Sequence, residues 1–336
     1  MSSVRFDGGS DRFQLDLSGR VGRVPFQKVT DAKAGEPRRS TAIRVAIRAG
    51  KEQGHIARLP KYDTGESTMT TATTQNANFV SESEWLGARE KLLEMEKQLT
   101  RQRDVVSAAR RALPWVRVEK EYGFETAQGR KTLADLFDGR SQLIIYSFMW
   151  RHDLGNGCIG CTFLGDHVDG ANQHLKHHDV SFVAVSRAPL NDLLTYKKRM
   201  GWQFELVSSL ESDFNFDYHV SFTSEELASG EVYYNYRKTK ASLPDLQGQH
   251  VFCKSGENEI FHTYSCYARA NEEVVGAYMW LDLTPKGRNE NGPYFSLADW
   301  VRPHDLYDQH GMTDSMGGYH AEAAGEPACR CHETHT

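Results

Sequence analysis

No apolar run in this chain approaches the roughly 18–20 residues needed to span a bilayer, so a helical membrane protein is excluded. There is no excess of basic charge either. Lys and Arg number 40 against 45 Asp and Glu, a net charge of −5, and electrostatics make no case for nucleic acid or an anionic membrane surface. The opening residues, Met1-Ser-Ser-Val-Arg-Phe-Asp-Gly-Gly, contain no apolar core of a secretory signal. The expectation is a soluble, cytoplasmic protein with no membrane or nucleic-acid partner and no cofactor. Cysteine is scarce: six in 336 residues cannot form a disulfide framework. Cys158 and Cys161 form one close pair, Cys329 and Cys331 another, and Cys253 and Cys266 stand alone. In a reducing compartment, close pairs point to redox or metal chemistry and isolated cysteines to ordinary core residues.

Residues 1–78 mix Gly, Ser, Thr and scattered charge and end in the low-complexity run Ser67–Gln75. They read as a disordered or weakly ordered extension, with only Ile43–Ile47 strand-like; Met69 offers an alternative natural start. Order begins at Ser81. Ser81-x-x-Glu84 has capping-box spacing and opens a helix over 81–113 that Pro114 stops. Trp85, Leu92, Leu99, Val106 and Leu113 recur every seven residues, a stripe expected to pack on the chain's own domain or, alternatively, on a second copy in a homodimer.

Beyond the helix, residues 79–310 alternate strand and helix signals. After a short strand near Val116–Glu119 and a turn around Gly123–Arg130, the apolar run Leu143–Met149 predicts a strand buried on both faces. Leu164, Val168, Ala171 and Leu175 form one stripe of a helix, Val180–Ser186 a second central strand, and Leu190–Met200 another helix. An aromatic-rich insertion fills 208–247. His250–Lys254 and Glu259–Thr263 then read as a hairpin, and Asn271–Leu281 as a last helix. The order β-α-β-α-β-β-α predicts an α/β thioredoxin-like fold, a central mixed sheet flanked by helices. Residues 311–336 are expected to be a flexible tail.

The dithiol Cys158-Ile-Gly-Cys161 falls where the first buried strand hands over to a helix. A helix start offers unpaired N–H groups and a positive dipole end, both of which favour a thiolate. Two intervening residues let the second thiol resolve a mixed disulfide. Cys158 is expected to be the exposed attacker and Cys161 the buried resolver, with thiols or disulfides of proteins or small molecules as partners. A metal site at Cys158, Cys161 and His167 is the rival, although a structural zinc site needs four ligands. Cys329, Cys331 and His332 are a weaker metal candidate in a segment that otherwise reads as disordered. Four neighbours, His152, Asp153, Asp166 and His167, are candidates for accepting a thiol proton, against a plain solvated or capping role. Arg187, at the end of the second strand, would lower a thiolate pKa or form a structural ion pair.

From Trp85 to about Tyr307 the chain resembles the thioredoxin-like bacterial family catalogued as domain of unknown function 899. The matching stretches include Gly157-Cys-Ile-Gly-Cys161, Val183-Ala-Val-Ser-Arg-Ala-Pro-Leu190, Lys198-Arg-Met-Gly-Trp202, Gly230-Glu-Val-Tyr-Tyr-Asn-Tyr236 and Asp299-Trp-Val-Arg302. The resemblance implies a dithiol–disulfide oxidoreductase with Cys158 and Cys161 as the redox pair. Two departures from better-understood thioredoxin-fold proteins stand out. Gly248 occupies the place of the proline before the hairpin strand, and Leu154 and Cys158 replace the Pro and Thr of the peroxide-activating pattern Pro-x-x-x-Thr-x-x-Cys. A thiol peroxidase and a non-catalytic binding module remain the alternatives.

Overall fold

The structure, a computed structural model, describes residues 78–256 and 259–321, together with a short antiparallel pair, Phe13–Leu15 with Val21–Arg23. The rest of the 1–78 extension, with Ile43–Ile47, and the Cys329–His332 element lie outside the described residues.

Helix α1 (Glu82–Arg111) begins at its capping box: Ser81 Oγ accepts from the Glu84 N–H at 3.3 Å, and the Glu84 carboxylate accepts from the Ser81 N–H at 2.9 Å. The expectation that its seven-residue stripe packs on the chain's own domain is corrected. No residue of α1 is buried, and Trp85, Leu92 and Leu99 are 57%, 48% and 53% exposed. Ion pairs Arg89–Glu96 and Arg101–Glu94 lace its surface, and it meets the domain near its C-terminus, where Arg110 pairs with Glu273 and lies over the Tyr264 ring.

The strands that follow are β1 (Val116–Arg117), β2 (Gly123–Thr126), β3 (Gly129–Thr132) and β4 (Gln142–Ser147). Next come helices α2 (Ile159–Gly165) and α3 (Val168–His177), strand β5 (Val180–Ser186), helix α4 (Leu190–Arg199) and strand β6 (Glu205–Ser208). Strands β7 (Gly248–Lys254) and β8 (Ile260–Tyr267) and helix α5 (Gly276–Leu281) complete the α/β core. One eight-stranded sheet runs β1-β8-β7-β4-β5-β6-β2-β3. The trio β4, β5 and β6 is parallel, while β7 pairs antiparallel with both β4 and β8. Within that sheet, β8-β7-β4-β5 with α2/α3, α4 and α5 is the thioredoxin arrangement. The apolar run therefore sits where it can be buried on both sides: Leu143 and Ile145 enter one core layer, and Tyr146 enters the other.

Four local readings change. The turn expected near Gly123–Arg130 is the hairpin β2–β3, which extends the sheet beyond β6. The helix after the dithiol is broken at Asp166-His167. There the His167 ring donates through Nδ1 to the Phe163 carbonyl at 2.7 Å, and Asp166 accepts from Trp202 Nε1 at 2.8 Å. The last helix divides into a 3-10 stretch, Ala268–Val274, and α5. The tail expected from residue 311 begins instead with a hairpin, β9 (Gly311–Thr313) and β10 (Tyr319–Ala321). It folds back onto the start of α2, because Arg151 and Asp314 form a two-oxygen ion pair at 2.9 Å. Among the described residues no helix is long and apolar enough to cross a membrane.

Candidate active site

The chain leaves β4 at Phe148-Met149 and doubles back through a small strand pair, Trp150–Arg151 with Asn156–Gly157, before entering α2. Gly155 turns it at a φ of 61°. Cys158 is the N-cap of α2: its N–H donates to the Met149 carbonyl at 3.1 Å, and its own carbonyl accepts from both the N–H and Oγ1 of Thr162 at 2.9 Å. One turn later the Met149 N–H donates to Cys161 Sγ at 3.4 Å. Both thiols are free and share one end of β4.

Neither sulfur is on the surface. Cys158 is 7% exposed and Cys161 1%, which corrects the picture of an exposed attacker. What covers Cys158 is the β9–β10 turn. The Gly317 carbonyl accepts from the Ile159 N–H at 2.9 Å, and a Cβ on Gly317 would come within 2.8 Å of Cys158 Sγ. The turn needs glycine twice over, because Gly317 also has a φ of 79°.

The two thiols are driven apart in acidity. A hydrogen bond from the Cys161 thiol pulls the Cys158 pKa down to about 7 against the effect of burial, helped by the N–H groups of Cys161 and Gly160 and by the Arg151 charge. Burial pushes Cys161 well above its ordinary value, and the neighbouring Cys158 adds to the rise; a hydrogen bond from Tyr146 works the other way. Tyr146, fully buried, keeps its proton well above the usual phenol range and is therefore a donor. Of the two, Cys158 is the more readily ionised.

The other sequence candidates are occupied elsewhere. His152 approaches Asp245 at 3.7 Å, and Arg187 approaches the same carboxylate at 3.6 Å while lying over the Phe216 ring. Asp166 is held by Trp202 and His304, and His167 takes the Ala277 N–H on Nε2 at 3.0 Å. Both His167 nitrogens thus serve the backbone, which removes it as a ligand beside the thiols. Asp153 acts at one remove, pairing with Arg151. Among the described residues no group of three or more His, Cys, Asp or Glu is placed to hold a metal ion. Cys253 is half-buried in β7, and Cys266 donates to Asn271 Oδ1 at 3.3 Å.

Three contributors escaped the sequence reading. Tyr146 was visible as the one hydroxyl-bearing ring in the β4 run. Arg151 and Asp314 lie 163 positions apart, and no local pattern joins them. A cavity of about 590 Å³ has both cysteines and Tyr146 in its wall, with Tyr234, Leu243 and Leu246 reaching it from the aromatic-rich insertion.

The model of a bacterial protein family of unknown function (DUF899) matches residues 74–307, well over half of the sequence. The chain belongs to that family. No curated protein matches it. Among solved structures, a cysteine-to-serine mutant of peroxiredoxin Q from Xanthomonas campestris is 14% identical with a TM-score of 0.33, covering 50% of this chain and 97% of its own. Peroxidoxin BcpB from Mycobacterium tuberculosis is 10% identical with a TM-score of 0.34, covering 49% and 94%. A putative thiol:disulfide interchange protein DsbE from Chlorobium tepidum is 11% identical with a TM-score of 0.31, covering 52% and 100%. At scores this low the thioredoxin-like assignment stands on the strand order of this DUF899 member itself.

Proposed function

We propose that this protein is a dithiol–disulfide oxidoreductase in which Cys158 attacks and Cys161 resolves. The observation that carries the reading is the placement of two free thiols at the start of α2, Cys158 as its N-cap and Cys161 one turn in. Their hydrogen bond favours the Cys158 thiolate, lowered to about 7, over that of Cys161, which is raised. A thiol half-ionised near neutral pH is close to the optimum for attack on a disulfide. The protonated partner holds that thiolate by a hydrogen bond until the mixed disulfide forms. It then loses its own proton, assisted by the Tyr146 donor, and attacks Cys158.

Redox titration of the purified protein tests this directly, followed by mass analysis of alkylated thiols. Cys158 and Cys161 are expected to interconvert with a single disulfide in a two-electron step. Cys161→Ser should accumulate a mixed disulfide on Cys158, because the resolving thiol is gone, and Cys158→Ser should abolish disulfide reduction. Absence of any titratable Cys158–Cys161 disulfide would end the proposal. Hydroperoxide consumption measured beside disulfide reduction distinguishes this chemistry from that of a thiol peroxidase.

A further inference from the structure

We infer that the substrate is a small organic disulfide with an apolar arm, which reaches the dithiol through the 590 Å³ cavity, and not the disulfide of a folded protein. The inference rests on the dithiol reading above and adds what that dithiol can meet.

The first observation is closure. A protein disulfide needs a sulfur presented on a surface, yet Cys158 lies beneath Gly317, and the turn that carries Gly317 is tied down by the Arg151–Asp314 ion pair. Asp314 is itself set by several donors: it accepts from the N–H groups of Met316 and Gly318 at 2.9 Å and from His320 Nε2 at 2.9 Å. The cover is a built turn on a buried arginine.

The second observation is where the opening lies. The cavity has the size typical of small-molecule sites, roughly 300–1,000 Å³. Buried Cys158, Cys161 and Tyr146 line it with Met149 and Leu246, and so do the exposed Phe295 and Met316, which put part of its wall at the surface. Phe295 is 80% exposed and so is available to an apolar group that enters the cavity beside it. A ligand with one sulfur at Cys158 and an apolar arm meets a wall that is mostly apolar, Phe295 included, with Lys240, Arg269, Glu272 and Glu290 as its charged members.

The reaction balances within this site. The Cys158 thiolate attacks one substrate sulfur, the substrate S–S bond breaks, and the first thiolate leaves and takes a proton. Cys161, losing its proton, then attacks Cys158 Sγ; the mixed disulfide breaks and the second thiol leaves, protonated. Two electrons and two protons pass from the dithiol to the substrate, and an external dithiol such as dithiothreitol returns them.

The test measures kcat/KM with dithiothreitol as reductant for dibenzyl disulfide, bis(2-hydroxyethyl) disulfide and insulin. Dibenzyl disulfide is expected to exceed the hydroxyethyl compound at least tenfold, with insulin no faster than its uncatalysed reduction. Phe295→Ala, at an exposed position that does not threaten folding, should raise KM for dibenzyl disulfide several-fold with kcat unchanged and leave the hydroxyethyl compound unaffected. A preference near one, insulin turnover matching the small disulfides, or an unchanged KM in Phe295→Ala would overturn the inference while a titratable Cys158–Cys161 disulfide still supports the oxidoreductase. Absence of that disulfide overturns both.

Discussion

Cys158 is buried, so fixed donors must do much of what water would otherwise do for its thiolate. The largest is the Cys161 thiol, followed by the N–H groups of Cys161 and Gly160 and the Arg151 charge, all set against burial. The sign of a perturbation follows: removing a donor raises the Cys158 pKa, because burial then acts with less opposition. The rate of Cys158 alkylation by iodoacetamide should rise with a midpoint near pH 7 in the wild type. In Cys161→Ala the midpoint should move toward the ordinary thiol value of about 8.5. Arg151→Met should move it in the same direction by less. A midpoint that stays put in both variants would show that neither group holds the thiolate. At this scale the pair itself was legible, because its spacing is local and a strand and a helix stripe flank it. Arg151 was not: its role depends on Asp314, and only the closed hairpin brings the two together.

Among the elements, the β9–β10 hairpin and α1 depart from their sequence signals for opposite reasons. The hairpin stretch has little apolar pattern, yet Asp314 anchors it to Arg151 and Tyr319 is buried in the same core cluster as the cysteines. Gly317→Val puts a branched side chain at a φ of 79° and against Cys158 Sγ. Strain of this kind costs about 1–3 kcal/mol, and steric conflict with the sulfur adds to it. The variant should open the turn, so that Cys158 alkylates faster and residues 311–321 become sensitive to limited proteolysis. Slower alkylation with an intact turn would mean that the hairpin does not cover the sulfur. Helix α1 presents the reverse case, a regular stripe that the chain's own domain leaves uncovered. Heptad spacing records which side chains share a face, not whether anything covers that face. Leu92→Asp should therefore change stability by no more than about 0.5 kcal/mol, as exposed substitutions do. A large fall in melting temperature, or a change of mass in solution, would show the stripe to be covered.

At the scale of the whole domain, the sheet divides stability from chemistry. Strand order and the central place of β4 were legible because two-sided burial leaves an apolar run in the sequence. The docking of hairpin β2–β3 on β6, which joins Glu125 to Ser208, and the cavity were not, since both bring together segments far apart along the chain. On one face of the sheet Leu143, Ile145, Phe214 and Phe252 form a fully buried apolar layer; on the other, Tyr146 lies with the cysteines. Two substitutions should separate these layers. Phe252→Ala empties a ring from the first layer and should lower the unfolding free energy by about 3–5 kcal/mol in denaturant titrations. It should leave the alkylation midpoint of Cys158 in the folded protein unchanged, because the sheet stands between them. Tyr146→Phe removes one hydroxyl and should cost only on the order of 1 kcal/mol of stability. Cys161 then loses its donor and becomes harder to ionise, so release of the second thiol in a single turnover should slow on the order of tenfold while the first attack keeps its rate. If Phe252→Ala shifts the Cys158 midpoint, or Tyr146→Phe releases both thiols at the wild-type rates, the two faces are not independent in the way their burial implies.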